Sequence, residues 1–233
     1  MSEVVPGLHM VGFPVGHAYL WCGPDGLTLI DSGVPGSAGA IAAAVERLGY
    51  RRSDLRRLLL THFHEDHVGS AAEIAAWGDV TVCAHAADAP VIRGEVAGPV
   101  PRLAGWEEEL MRQVKAGMPS RPPEPVRVDH ELGDGDRIDL GGGVEAVVVA
   151  VPGHTPGSVA FHLPGQRVLL TGDAIARSPA GDVMLGTFNV DPVMAAASFR
   201  LQAQLDVDVA CFGHGEPLIG NAGAQLRAAA PAG

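Results

Sequence analysis

The sequence predicts a mixed α/β sandwich, with β-sheets inside and helices outside. Short apolar runs of strand length alternate with Ala-rich stretches of helix length along the chain, the pattern of sheets covered by helices. One pair of runs is joined by Pro164-Gly165-Gln166, a hairpin connection rather than a crossover. The 233 residues are 47% hydrophobic and 18% charged, enough for one large core.

Residues 27–30 read as a strand closed by Asp31-Ser32-Gly33, and 37–48 as a helix between Pro35-Gly36 and Gly49. The apolar run 58–60 ends at Thr61. Residues 70–76 read as a short helix with Ser70 as N-cap and Glu73 at the third helical position. A strand over 80–83 and a helix over 105–116 follow. Residues 118–125 are MPSRPPEP. Prolines at this density forbid helix and central strand, so the stretch is a linker or part of a lid. We expect a single domain over 1–233, with segment 90–125 as the candidate lid. Strands are expected at 138–140, 144–151, 158–163, 167–171 and 207–212, and helices at 192–205 and 222–230.

Composition excludes several classes. The net charge is −11, and Lys115 is the only lysine, whereas a nucleic-acid partner needs clustered cations on phosphates. Arg51, Arg52, Arg56 and Arg57 form the one basic group, either a local anion patch or, as we favour, a solvated turn leading into a strand. The longest apolar run, 146–151, falls far short of the roughly 18 residues that span a bilayer. The first residues, MSEVVPGLHM, carry no basic segment before an apolar core. Cys22, Cys83 and Cys211 are too few and too scattered for a disulfide framework. The expected compartment is therefore the cytoplasm, without membrane association.

The strongest chemical signal is Thr61-His62-Phe63-His64-Glu65-Asp66-His67. Imidazole is the commonest metal ligand, and carboxylates are compatible hard partners. A spacing of two puts His62 and His64 on one side of an extended segment. Asp66 and His67 point elsewhere if the chain then turns into a helix, so one segment can serve two adjacent ions. The same punctuation recurs: 147–151 runs into Pro152-Gly153-His154, 168–171 into Gly172-Asp173, and 209–212 into Gly213-His214. Glycine permits tight backbone geometry beside a crowded site, and strand ends converge on one sheet edge. Alone, each of His154, Asp173 and His214 is an ordinary turn residue; jointly they read as ligands. His62, His64, Asp66, His67, His154, Asp173 and His214 exceed the four ligands of one tetrahedral zinc. They suit two divalent ions, zinc by default with manganese or iron acceptable. No cysteine is among them, and open coordination positions point to catalysis.

THFHEDHVGS, PGHTPGS, TGDA and FGHG, with LIDSG upstream, resemble the metallo-β-lactamase superfamily of metallohydrolases. The resemblance runs from about residue 8 to about residue 226. It implies a four-layer αββα sandwich, two mixed sheets flanked by helices, with a dinuclear site at one edge. It also implies that His62, His64 and His154 hold one metal, that Asp66, His67 and His214 hold the other, and that Asp173 bridges both. Asp31 resembles the family's buried structural aspartate. His17-Ala18-Tyr19-Leu20 stands where the family often has Asn-Ala-Tyr-Leu, and His17 is read as a buried, hydrogen-bonded histidine rather than a contact to the ligands.

The expected reaction is hydrolysis of an ester, lactone, thioester or amide of a small molecule by a metal-bridged hydroxide, with Asp66 orienting the water and moving its proton. Asp173 disfavours β-lactam hydrolysis as the main role, since β-lactamases of this superfamily often carry Cys there or lack the bridging carboxylate. The pattern is more similar to the lactonase and glyoxalase II-like branches. Glyoxalase II enzymes recognise glutathione with a basic C-terminal extension, whereas Arg227 is the only basic residue after His214, so recognition in that style is not expected. Trp106, Leu110, Met111 and Met118 are read as core residues in preference to contacts over the site, and residues 184–189 as ordinary loop packing in preference to a pocket wall. The main alternative is a mononuclear-iron oxidoreductase resembling persulfide dioxygenases. A flavin-linked di-iron protein, a nuclease and a metal-free binding module are disfavoured. A homodimer is the default oligomer.

Overall fold

In the computed structural model, which describes residues 1–232, two mixed sheets stack face to face. The first sheet runs, in spatial order, through β1 (Ser2–Val5), β2 (Leu8–Gly12), β3 (His17–Gly23), β4 (Gly26–Ile30), β5 (Leu55–Leu59), β6 (Thr81–His85) and β7 (His130–Leu132). Its first four strands form an antiparallel meander, and its last three add in parallel. The second sheet contains β8 (Arg137–Asp139), β9 (Glu145–Ala150), β10 (Val159–Leu163), β11 (Val168–Leu170), β14 (Val209–Cys211) and β15 (Leu218–Ile219). There β11 and β14 are parallel and the other pairs antiparallel. A separate hairpin pairs β12 (Ile175–Arg177) with β13 (Val183–Leu185).

Period-two alternation sorts the side chains into three cores. Tyr19, Trp21, Ile30 and Leu59 of the first sheet meet Val148, Phe161, Leu170 and Cys211 of the second in the central layer. Leu20, Leu29, Leu58 and Val82 face the other way, onto α1 (Ala38–Arg47), α2 (Glu65–Val68), α3 (Ala71–Ala75) and α4 (Ala89–Ile92). Ala160, Leu169 and Ala210 pack against α6 (Pro192–Gln202) and α7 (Ala222–Ala229). The result is the αββα order of layers. The remaining helix, α5 (Gly105–Gly117), contributes to none of these cores.

Ser70 precedes α3 but, contrary to the sequence reading, does not cap it. Its hydroxyl donates to the Val34 carbonyl and accepts from Ser37 N–H, both at 2.8 Å, and so supports the start of α1 instead. Arg51, Arg52, Arg56 and Arg57 occupy a one-turn 3-10 segment and the start of β5, as the solvated-turn reading holds. The cysteines are unpaired, and among the described residues no helix is long and apolar enough to cross a membrane.

Candidate metal centre

The His62–His67 segment and the three glycine-punctuated segments end at one edge of the sandwich. β4 and β5 are parallel neighbours, so Asp31 and Thr61, just past their ends, lie side by side. Asp31 takes a left-handed backbone (φ 60°), which aspartate tolerates better than most residues. Its Oδ1 accepts from Thr61 N–H (2.8 Å) and its Oδ2 from the Thr61 hydroxyl (2.8 Å). Oδ2 also lies 2.8 Å from His67 Nδ1. A carboxylate only accepts, so His67 carries its proton on Nδ1 and presents Nε2 to the site. The Thr61 hydroxyl spends its single proton on Asp31, so it accepts from His62 Nδ1–H at 2.9 Å, and His62 also presents Nε2. One buried aspartate thereby fixes the tautomers of two histidines on one segment.

His64 sits at the N-terminus of α2 in extended backbone, and the turn into α2 redirects Asp66 and His67, as the spacing predicts. Two ligand sets result. His62 Nε2 and His64 Nδ1 lie 3.2 and 2.8 Å from His154 Nε2. Nitrogens bound to one tetrahedral ion at roughly 2.0–2.1 Å stand about 3.3 Å apart, so this set has the right scale. Asp66, His67, Asp173 and His214 make the second set, with donor atoms within 4.8 Å of one another. Asp173 faces both sets: its Oδ2 is 3.1 Å from His214 Nε2, 3.7 Å from His154 Nε2 and 4.0 Å from His62 Nε2, and its Oδ1 is 3.3 Å from His67 Nε2. Gly213 makes room for this approach. A Cβ there would stand 2.0 Å from Asp173 Oδ1 and 2.8 Å from His67 Cε1.

The electrostatics fit a cation. His67 Nε2 and Asp173 Oδ1 are buried, face each other and have no hydrogen-bond partner. With His67 Nδ1–H committed to Asp31, lone pair meets lone pair unless positive charge lies between them. Burial opposes charging His214, but Asp173 and Asp66 override it and push its pKa up to about 10. For His67, burial is likewise overcome by Asp173 and Asp31. Burial would raise Asp66, yet His67 and His214 hold it down to about 2. In the other set, burial and the neighbouring His154 lower His64 to about 3, which keeps a neutral lone pair ready for a metal.

These shifts predict a pH effect on the metal-free protein. His67 and His214 have folded pKa values above the unfolded 6.5. The stability they contribute is full below pH 6.5 and is lost as pH rises, for His214 through about 10. Melting temperatures of chelator-treated protein should therefore fall between pH 6.5 and 9.5. The zinc-loaded protein, whose ions replace those protons, should show a shallower fall. Parallel curves would contradict this account. The His214 side chain is 37% exposed, so solvent screening trims its share.

A further carboxylate shapes the site. Asp88 is 1% exposed and stands at the start of α4 without capping it. It accepts from Phe63 N–H (3.1 Å), the Thr155 hydroxyl (2.6 Å) and Gly157 N–H (2.7 Å). It therefore ties the loop of His62 and His64 to the loop of His154. Burial pushes its carboxyl up to about 6, with those donors limiting the rise. In sequence Asp88 is one polar residue in AHAADAP, with nothing periodic or clustered to mark it. Asp88→Asn turns an amide against at least one donor. Supporting groups of this kind are worth about 10–100-fold in metal affinity, so zinc competition with a chromophoric chelator should show a loss of that size. Unchanged affinity would reduce Asp88 to a packing role.

A cavity of about 1170 Å³ opens beside the ligands, lined by His64, Asp66, His154, Asp173 and His214 on one side and by α5 on the other. Trp106, Leu110, Met111 and Met118 line it, which corrects the core reading. Met184, Thr187 and Phe188 form another wall, which corrects the loop-packing reading there, while Asn189 is buried and bonds the Gly186 carbonyl. His17 also borders the cavity, half-buried. Its Nδ1 has no hydrogen-bond partner, while a backbone hydrogen bond to Phe212 engages the ring, so the histidine expected to be buried and hydrogen-bonded is half-buried and bonded on one side only.

Fold and site define a class: an αββα sandwich whose strand ends gather two adjacent His/Asp ligand sets at the floor of an open cavity. The chain belongs to the metallo-beta-lactamase superfamily, whose family profile matches residues 11–214. It is 28% identical to the probable metallo-hydrolase YflN of Bacillus subtilis, over 94% of this chain and 87% of that one. It is 33% identical to a hydroxyacylglutathione hydrolase of Fuscovulum blasticum, over 76% of this chain. The chain spans only about half (54%) of that enzyme's length. Among solved structures, a metallo-beta-lactamase family protein from Thermus thermophilus superposes with a TM-score of 0.70 at 25% identity, covering 98% of this chain and 78% of that one.

Proposed function

We propose that this protein is a hydrolase that works with two divalent ions, zinc by default, on an ester, lactone, thioester or amide of a small molecule in the cytoplasm. The observation that carries the reading is Asp173, whose carboxylate faces both ligand sets within 4.0 Å. His62, His64 and His154 would hold one ion, Asp66, His67 and His214 the other, and Asp173 would touch both. When bound, such a pair supplies Lewis acidity and an activated water.

The chain's own residues supply the rest. Asp31 and Thr61 hold His62 and His67 in the tautomers that aim Nε2 inward. Asp66 lines the cavity and stays ionised, so it can orient the attacking water and carry its proton to the leaving group. The acidic chain and the half-enclosed cavity favour a small molecule over nucleic acid.

The experiment is elemental analysis of purified protein followed by a panel of esters, lactones, thioesters and β-lactams. Two zinc, manganese or iron ions per chain, with hydrolysis lost on chelation and restored by metal, is the expected result. One iron per chain with oxygen consumption would overturn the reading in favour of an oxidoreductase.

A further inference from the structure

Helix α5 carries its apolar residues at 106, 110, 111 and 114, with Met118 just past its end, one stripe at helical spacing. Such a stripe normally faces a core, yet Glu107 is the only buried residue of this helix. Trp106, Leu110, Met111, Val114 and Met118 line the cavity above the ligands instead, and Trp106 is 60% exposed. The polar face points to solvent, with Arg112 and Gln113 paired to Glu109.

The stripe is held in place. Glu107 Oε2 accepts from Ala104 N–H (2.7 Å), and its Oε1 accepts from Phe188 N–H (2.9 Å) on the opposite wall. Arg102 N–H donates to the Asn189 carbonyl (2.8 Å). The helix is thus latched across the cavity with its apolar side inward. An apolar wall that shares a concave space with a few convergent polar groups is the usual make-up of a ligand site, and about 1170 Å³ exceeds the roughly 300–1,000 Å³ of most such sites.

We infer that the stripe on α5 is the seat of an extended, unbranched acyl chain, so that the substrates are medium- to long-chain acyl esters or thioesters. This rests on the hydrolase reading above. The apolar wall and the ligand sets share one concave space, which suits a chain ending in a reactive carbonyl rather than a flat partner surface. The reaction balances as acyl–X plus water giving the carboxylic acid plus HX. The bond from acyl carbon to X breaks, a bond to water oxygen forms, and a water proton passes to X.

The test is a series of p-nitrophenyl esters from C2 to C12 with zinc-loaded protein. A buried methylene is worth at most about fourfold, so kcat/KM should climb about two- to fourfold per methylene to at least C8. Leu110→Glu, a substitution at a half-buried site on a solvent-facing helix, should lower the C8-to-C2 ratio at least tenfold. Met111→Gln takes its place if circular dichroism shows that Leu110→Glu fails to fold. A second readout needs no turnover: in chelator-treated protein, fatty acids from C4 to C12 should displace an environment-sensitive dye more tightly with length, and the variant should lose this trend. Turnover with flat length dependence overturns the acyl seat and leaves the hydrolase standing. Graded fatty-acid binding without turnover of these esters or of the lactones, thioesters and β-lactams upholds the seat and overturns the hydrolase. Flat series in both readouts, with a dimer that Leu110→Glu converts to monomer, overturns the seat in favour of a contact between copies.

Discussion

Asp66→Asn should yield a folded protein whose hydrolytic turnover is lower by about 10²–10⁴-fold, the usual worth of a positioned acid–base group. Asp66 stands in the first turn of α2, its Oδ2 3.2 Å from His214 Nε2 and 3.7 Å from His67 Nε2. It borders the cavity, so a substrate carbonyl and a water can reach it. Asparagine keeps the shape and one ligand oxygen but cannot take a proton. The loss should therefore fall on kcat, with metal content near that of the parent. His64→Ala should behave differently: it removes a donor from the three-histidine set and should lower the bound metal as well as the rate. Measuring kcat, metal stoichiometry and circular dichroism on both variants separates the two roles. Near-normal rates in both would remove these residues from the site.

The seven ligand candidates were legible because each follows an apolar run and, in three cases, a glycine. That pairing has a physical basis at Gly213, where any side chain would collide with Asp173. Asp31 was legible as a strand-end aspartate, but its control of two histidine tautomers through Thr61 depends on β4 and β5 being parallel neighbours, which no local pattern encodes. Asp88 and Glu107 were invisible for a related reason: each is a single carboxylate whose tie across the site runs to residues far along the chain, Thr155 and Gly157 for one and Phe188 for the other. Strand β3 lacks alternation because it is buried on both faces, and three-residue strands such as β7 and β12 exist only through their neighbours. The stripe on α5 was read as core because periodicity reports an apolar face and cannot say whether protein or ligand covers it.

Asp31→Ala should cost about 3–5 kcal/mol of stability, the range for stripping one member from a buried charged cluster. Asp31 is 3% exposed, and its loss strands three buried donors: Thr61 N–H, the Thr61 hydroxyl and His67 Nδ1–H. At roughly 2–4 °C per kcal/mol for a chain of this size, the melting temperature should fall by roughly 6–20 °C. Asp31→Asn is the sharper experiment. Asparagine offers one acceptor oxygen where the carboxylate offers two. If its NH₂ takes the place of Oδ1 it opposes Thr61 N–H, and if it takes the place of Oδ2 it opposes both the Thr61 hydroxyl and His67. In the second case His67 relieves the clash by moving its proton to Nε2, the atom that faces Asp173, and Thr61 no longer directs His62. The expected outcome is a metal affinity about 10–100-fold weaker, with the His67 ring nitrogens exchanging roles in ¹⁵N spectra of the metal-free protein taken at a pH where the ring is neutral. If Asp31→Asn keeps the parent's affinity and tautomer, the histidines are oriented by packing alone, and the chain from Asp31 through Thr61 to His62 has no part in building the site.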